Sequence, residues 1–96
     1  MSALKNVLLL GASGSIGTQT LDILDENKDK FVLTAFSVGK KHGFVKDLLQ
    51  KYKTVKEVYL IDKEIAKQYK KEFPNVKFYS GEKGLQKLTL NAEFDI

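Results

Sequence analysis

Apolar and polar positions change period repeatedly along this chain, from unbroken runs to helical spacing and back. Asn6 to Leu10 is a continuous, mostly apolar run, the pattern of a strand buried on both faces of a parallel sheet. After a glycine-rich segment, Ile16, Thr20, Ile23 and Leu24 recur at helical spacing, which predicts a helix over residues 15–27. The polar stretch from Asp25 to Lys30 turns the chain into a second strand, Phe31 to Val38, rich in β-branched and aromatic residues. Phe44, Leu48 and Tyr52 then share one helical face, and Val58 to Ile61 reads as a third strand. Ile65, Tyr69 and Phe73 mark a third helix that Pro74 stops. Val76 to Tyr79 is a short fourth strand, a helix is expected over residues 82–88, and Phe94-Asp95-Ile96 opens a fifth strand.

Strand and helix alternate throughout, so the expected architecture is α/β, a Rossmann-like doubly wound parallel sheet with helices on both faces. Right-handed crossovers restrict the topology, and a strand order of 3-2-1-4 is the natural expectation. No linker or low-complexity stretch divides the 96 residues, so residues 1–96 are read as one domain. Because the chain stops where a fifth strand begins, it is read as the nucleotide-binding piece of a longer protein whose catalytic domain lies elsewhere.

Composition narrows the classes. The chain is 43% hydrophobic and 29% charged, ordinary for a globular domain. It has no cysteine, which excludes disulfides, thiolate metal sites and cysteine nucleophiles. The apolar run ending at Leu10 is shorter than the ~7–15 residues of an export signal, and nothing approaches the ~20 of a membrane span. A cytoplasmic location is expected, without a membrane partner. The formal charge is +4, yet every basic residue is lysine, dispersed among acids as in Lys63-Glu64 and Lys70-Lys71-Glu72. Without arginine forks to read guanine or a basic block, the lysines read as solvated helix faces, and no nucleic-acid partner is expected.

The chemistry lies in Gly11-Ala12-Ser13-Gly14-Ser15-Ile16-Gly17, which leaves a buried strand and opens a helix, the context of a phosphate loop. Gly11 can make the tight turn, Gly14 lets a pyrophosphate approach the main chain, and Gly17 lets the helix pack closely on the sheet. Free N–H groups near Ser15 and Ile16 would face the phosphate with the helix dipole behind them; Ser13 and Ser15 can add hydroxyls. The spacing is Gly-x-x-Gly-x-x-Gly, and the alternative is that the same glycines make a plain tight turn in a flavodoxin-like or other doubly wound domain. A P-loop is excluded because no Gly-Lys-Ser/Thr follows.

The end of the second strand bears on which dinucleotide fits. An NAD site carries an acid there for the ribose 2′-hydroxyl. Here Ser37-Val38 runs into Gly39-Lys40-Lys41-His42 with no acid. Lys40 and Lys41 sit where a 2′-phosphate would lie, Ser37 is a nearby donor, and Gly39 lets the adenine lie close, so NADPH is the expected cofactor. The alternative is that both lysines are only solvent-facing loop charges. His42, the sole histidine, is read as a loop residue. No carboxylates have metal-site spacing; Asp22, Asp25 and Glu26 are read as the exposed face and end of a helix. No catalytic and no metal-binding residue is assigned.

These segments resemble a known family. The glycine-rich segment followed by Thr20-Leu21-Asp22, the strand ending Ala35-Phe36-Ser37-Val38-Gly39-Lys40 and the later Tyr79-Ser80-Gly81-Glu82-Lys83-Gly84-Leu85 look like the amino terminus of 1-deoxy-D-xylulose 5-phosphate reductoisomerases, along the full length of the chain. The resemblance implies an enzyme that converts 1-deoxy-D-xylulose 5-phosphate into 2-C-methyl-D-erythritol 4-phosphate in non-mevalonate isoprenoid biosynthesis. It would use NADPH, with Mg2+ or Mn2+ held in the parent only, and act as a homodimer. By position, Ser13, Gly14, Ser15 and Ile16 would contact the cofactor phosphates, and Gly39 and Lys40 the 2′-phosphate end. The family commonly has threonine in place of Ser13, which keeps the hydroxyl. It commonly has asparagine in place of Lys41, which leaves that contact open. The metal-binding acids and substrate-phosphate residues would lie beyond Ile96, so this piece alone is expected to be inactive. Two rival readings remain: the NADP-binding domain of another dehydrogenase, of the aspartate-semialdehyde dehydrogenase type, or a nucleotide-sensing regulatory module.

Overall fold

In a computed structural model, residues 4–12, 14–39, 43–81, 83–92 and 94–95 are described. Strands and helices alternate as β1 (Lys5–Leu9), α1 (Ser15–Glu26), β2 (Phe31–Val38), α2 (Gly43–Lys51), β3 (Glu57–Leu60), α3 (Lys63–Glu72), β4 (Lys77–Tyr79) and α4 (Gly84–Asn91). The fold class is therefore the expected α/β, with every strand pair parallel. Phe94 and Asp95 are not in a strand, and Ile96 lies outside the described residues.

The strand order is β1-β2-β3-β4, which corrects the expected 3-2-1-4. Alternation along a chain shows that crossovers exist but not where their direction reverses. To reach the far side of β1, the fourth strand would have to cross three strand spacings, roughly 14 Å. Instead the short turn at Phe73–Val76 delivers it beside β3, where the Lys77 N–H donates to the Lys56 carbonyl at 2.9 Å. The reversal comes one crossover later. After α4 the chain reaches the open edge of β1, where the Asp95 N–H donates to the Asn6 carbonyl at 2.7 Å and the Asn6 N–H donates to Asp95 Oδ2 at 2.8 Å.

Successive right-handed crossovers in one direction place their helices on one face, and the core follows. Val7, Leu33, Phe36, Val38, Val58 and Leu60 meet Leu21 and Leu24 of α1, Val45, Leu48 and Leu49 of α2 and Ala66 of α3 in one cluster. An irregularity between Val7 and Leu8, where Leu33 and Ala35 are the successive partners, sets Leu33 and Phe36 toward the same side despite their odd spacing. α4 lies on the other face: Gly84 packs on the ring of Tyr59, whose neighbours Val58 and Leu60 point into the main core, and Leu88 is fully buried. Helices thus cover both faces, three against one.

Two elements differ from their sequence reading. On α1 the buried stripe is Gly17, Leu21 and Leu24, whereas Ile16 and Ile23 are 80% and 55% exposed. The apolar spacing that located the helix mixed residues from two sides of it. β1 is less buried than an interior strand: Leu8 and Leu9 are half-buried and Leu10 is exposed, because α4 packs over β3 and β4.

A polar latch joins α1 to the end of α2. Tyr52 Oη donates to Asp25 Oδ1 at 2.5 Å, and Lys51 Nζ lies 2.7 Å from Asp25 Oδ2. The bond from Lys51, then that from Tyr52, holds the Asp25 carboxyl below its usual range, and burial with the Asp25 bond pushes the Tyr52 phenol up. A carboxyl depressed in the folded state stabilises the fold above its unfolded pKa, and that contribution is lost as pH falls through the folded value. Asp25→Asn is expected to cost about 1 kcal/mol near neutrality. In denaturant titrations across pH, the gap to wild type should close below about pH 4; a gap independent of pH would contradict the latch.

Candidate functional site

The geometry of the glycine-rich turn begins with Gly11, which leaves β1 at φ +69°, a left-handed conformation that side chains disfavour. This bend aims two successive N–H groups at one residue of β2: Gly11 donates to Ser37 Oγ at 2.9 Å and Ala12 to the Ser37 carbonyl at 2.8 Å. Ala12 is completely buried and Ser37 nearly so. The chain closes the turn with Gly14 N–H to the Gly11 carbonyl at 3.0 Å and enters α1 with Thr18 N–H to the Gly14 carbonyl at 2.9 Å.

Because that last bond is the first of the helix, the N–H groups of Ser15, Ile16 and Gly17 precede the intrahelical ladder. The N-cap is Gly14, which has no side chain to cap them, and no acidic residue occupies the first turn. Ser15 and Ile16 are exposed. The hydroxyls of Thr18 and Thr20 bond back to the carbonyls of Ser15 and Ile16, leaving the donors alone. A helix start of this kind, with uncapped amides and a positive dipole end, attracts anions. Gly17 faces the opposite way. A Cβ there would lie 2.3 Å from the Gly11 carbonyl oxygen and 2.8 Å from Ala12 Cα, so α1 sits on the turn as closely as backbone allows.

Of the residues singled out in the sequence, Gly11, Gly14, Ser15, Ile16 and Gly17 are brought together at this turn. Gly39 follows β2 two residues after Ser37, beside it, and a Cβ at Gly39 would meet nothing within 4 Å. Ser13, Lys40, Lys41 and His42 lie outside the described residues. Two expectations gain detail. The Gly14 N–H is used within the turn, so the exposed helix-start amides with no acceptor among the described residues are those of Ser15 and Ile16. The Ser37 oxygen also accepts from Gly11 and so pins the turn, a role the sequence signals only by a small hydroxyl residue near the end of a strand otherwise apolar there.

A shallow hollow of about 580 Å3 lies between the end of β1 and α4, lined by Leu10, Lys83, Leu85, Gln86 and Thr89. Larger ones, of about 630 and 920 Å3, lie away from the turn, at the N-terminal ends of the strands and along α3 and β4. A dinucleotide lies along an open crevice at the carboxyl ends of the strands, so the turn and not the largest hollow marks the site. Among the described residues, no group of three or more His, Asp or Glu is placed to hold a metal ion. No helix among them is long and apolar enough to cross a membrane.

A parallel sheet whose first strand passes through a glycine turn into an uncapped helix is the architecture of a doubly wound nucleotide-binding domain. Comparison with known proteins agrees in detail. The family model of 1-deoxy-D-xylulose 5-phosphate reductoisomerase matches residues 7–96. A reductoisomerase of that name from Listeria welshimeri is 40% identical over 93 residues, covering 97% of this chain and 24% of the relative. One from Bacillus cereus is 39% identical over the same length, with the same coverage. Among solved structures, the Zymomonas mobilis reductoisomerase in complex with NADPH superposes with a TM-score of 0.70 at 25% identity, over 82% of this chain and 21% of that one. A reductoisomerase in complex with NADPH, fosmidomycin and magnesium superposes with a TM-score of 0.82 at 21% identity, over 96% of this chain and 23% of that one, a likeness of fold. The chain belongs to the 1-deoxy-D-xylulose 5-phosphate reductoisomerase family, and it spans about a quarter of the length of the curated relatives it matches.

Two substitutions test the turn in equilibrium denaturation. Ser37→Ala leaves the Gly11 N–H without its acceptor and should cost about 1–3 kcal/mol. Gly17→Ala forces a methyl against backbone and should cost about as much or more. Wild-type stability for either would mean that the turn is not held as described.

Proposed function

We propose that this chain is the NADPH-gripping part of an enzyme that converts 1-deoxy-D-xylulose 5-phosphate into 2-C-methyl-D-erythritol 4-phosphate. The observation that carries the reading is the α1 start: exposed amides at Ser15 and Ile16 that no described residue caps, no acid in the first turn, and no side chain at Gly14. Family membership supports it, as does the NADPH complex of the Zymomonas mobilis relative.

Within that reading the pyrophosphate lies over the amides of Ser15 and Ile16, with the hydroxyls of Ser13 and Ser15 as further donors. Gly11 and Gly17 fix the height of the helix start, and Gly14 keeps its approach open. The adenosine end lies by Gly39, where an added Cβ would meet open space, and Lys40 and Lys41 neutralise the 2′-phosphate. NADPH supplies a hydride for reduction. The chain's own residues bind and orient it, and proton movement at the reacting carbon is left to the rest of the parent. Metal and sugar-phosphate binding fall to the rest of the parent. Residues 1–96 are then the amino-terminal nucleotide-binding domain of a cytoplasmic, homodimeric enzyme, without a nucleic-acid or membrane partner, and this piece alone is inactive.

Side-by-side titration of the purified chain with NADPH and NADH tests the reading. NADPH should bind more tightly, and Lys40→Glu should weaken NADPH by about tenfold or more, the scale of one lost charge-assisted hydrogen bond, while NADH changes little. Equal losses for both cofactors would overturn the 2′-phosphate assignment, and absence of binding by either would overturn the cradle.

A further inference from the structure

β4 is the outer strand of the sheet, with β3 on one side and no strand on the other among the described residues. Parallel pairing alternates along a strand. Lys77 and Tyr79 direct their main-chain groups at β3, as the bond from Lys77 N–H to the Lys56 carbonyl shows, so the N–H and C=O of Phe78 point away from the sheet. A hollow of about 920 Å3 runs along this edge between β4 and α3, with Ala66, Phe78 and Tyr79 on its walls and Lys63, Lys67, Lys71 and Lys77 around it. Of these four lysines only Lys67 has an ion-pair partner among the described residues, Glu64 at 3.8 Å, and both are largely exposed; Lys63, Lys71 and Lys77 have none there. Lys70 donates instead to the carbonyls of Pro74 and Val76 at 3.1 and 3.0 Å, fixing the turn that leads into β4.

We propose that this edge is a docking site for an extended acidic segment of a partner protein, which adds to β4 as a further strand and sets its carboxylates against Lys63, Lys71 and Lys77. Three features select that occupant. The outward N–H and C=O of Phe78 complement a peptide backbone, the basis of strand addition. The unpaired lysines attract acid at a range that steers encounter. A second copy is disfavoured, because pairing two β4 edges would bring two sets of the same lysines together, the usual defence of an exposed edge against self-association. One charge pattern therefore repels the chain's own edge and admits an acidic one.

The test is fluorescence anisotropy of the full chain with a labelled peptide of alternating glutamate and valine. Three probes accompany it: the glutamine counterpart, the same peptide N-methylated on alternate residues, and a single-stranded oligonucleotide as a plain polyanion. Saturable binding of the glutamate peptide is expected, weakened about tenfold by either peptide change and by Lys63→Glu combined with Lys71→Glu. The Phe78 amide should gain protection from hydrogen exchange only when peptide is bound. Equal binding of the N-methylated peptide or of the oligonucleotide would reduce the site to nonspecific charge and overturn strand addition. So would no binding, or concentration-dependent Phe78 protection without peptide, which would mark a contact between copies.

Discussion

Two consecutive N–H groups, those of Gly11 and Ala12, end on the hydroxyl and carbonyl of Ser37. This double anchor ties the turn after β1 to the neighbouring strand, with Ala12 completely buried beneath it. Its consequences reach upward. With the turn fixed, the Gly11 carbonyl and Ala12 backbone become the surface on which α1 lands, and only a residue without Cβ can occupy position 17. The helix start is then held at one height and angle, with the Ser15 and Ile16 amides exposed. A site that receives an anion through main-chain donors gains by having them placed beforehand, since no ordering is left to be done on binding.

The sheet explains why the turn lies where it does. Three crossovers in one direction build a single core between α1–α3 and one sheet face, while α4 alone covers part of the other. β1 is left at an edge, touched by Asp95 through Asn6 at the end remote from the turn. The carboxyl end of β1 is consequently open, with Leu10 exposed beside Gly11. An open crevice at the carboxyl end of the strand where winding reverses is where doubly wound sheets bind ligands. No acid stands in the first turn of α1, which leaves that geometry open to an anion.

Element type and sequence were legible because each apolar run had the length and period of its element. The glycine turn was legible because Gly11 and Gly17 do what only glycine can. Strand order was not, since the pattern that places β4 after α3 says nothing about which side of the sheet it joins; a single backbone bond from Lys77 to Lys56 decides it. The buried side of α1 was misread because Ile16 and Ile23 are apolar yet exposed, while Gly17 carries no apolar signal. The part Ser37 plays in pinning Gly11 was not legible, because a hydroxyl beside a phosphate loop has two uses and only tertiary geometry shows that its oxygen accepts from the turn. The latch from Asp25 to Tyr52 joins residues 27 apart in sequence, a distance over which no local period reports contact.

The most direct measurement is a 15N-resolved NMR titration of the chain with NADPH, following individual main-chain amides. The expected result is saturable shifts at Ser15 and Ile16 that share one dissociation constant with the residues after β2, while Gly14, already bonded within the turn, moves less. Cofactor binding that leaves the Ser15 and Ile16 amides unmoved, or slow exchange of those amides in the free chain showing them already bonded internally, would contradict it.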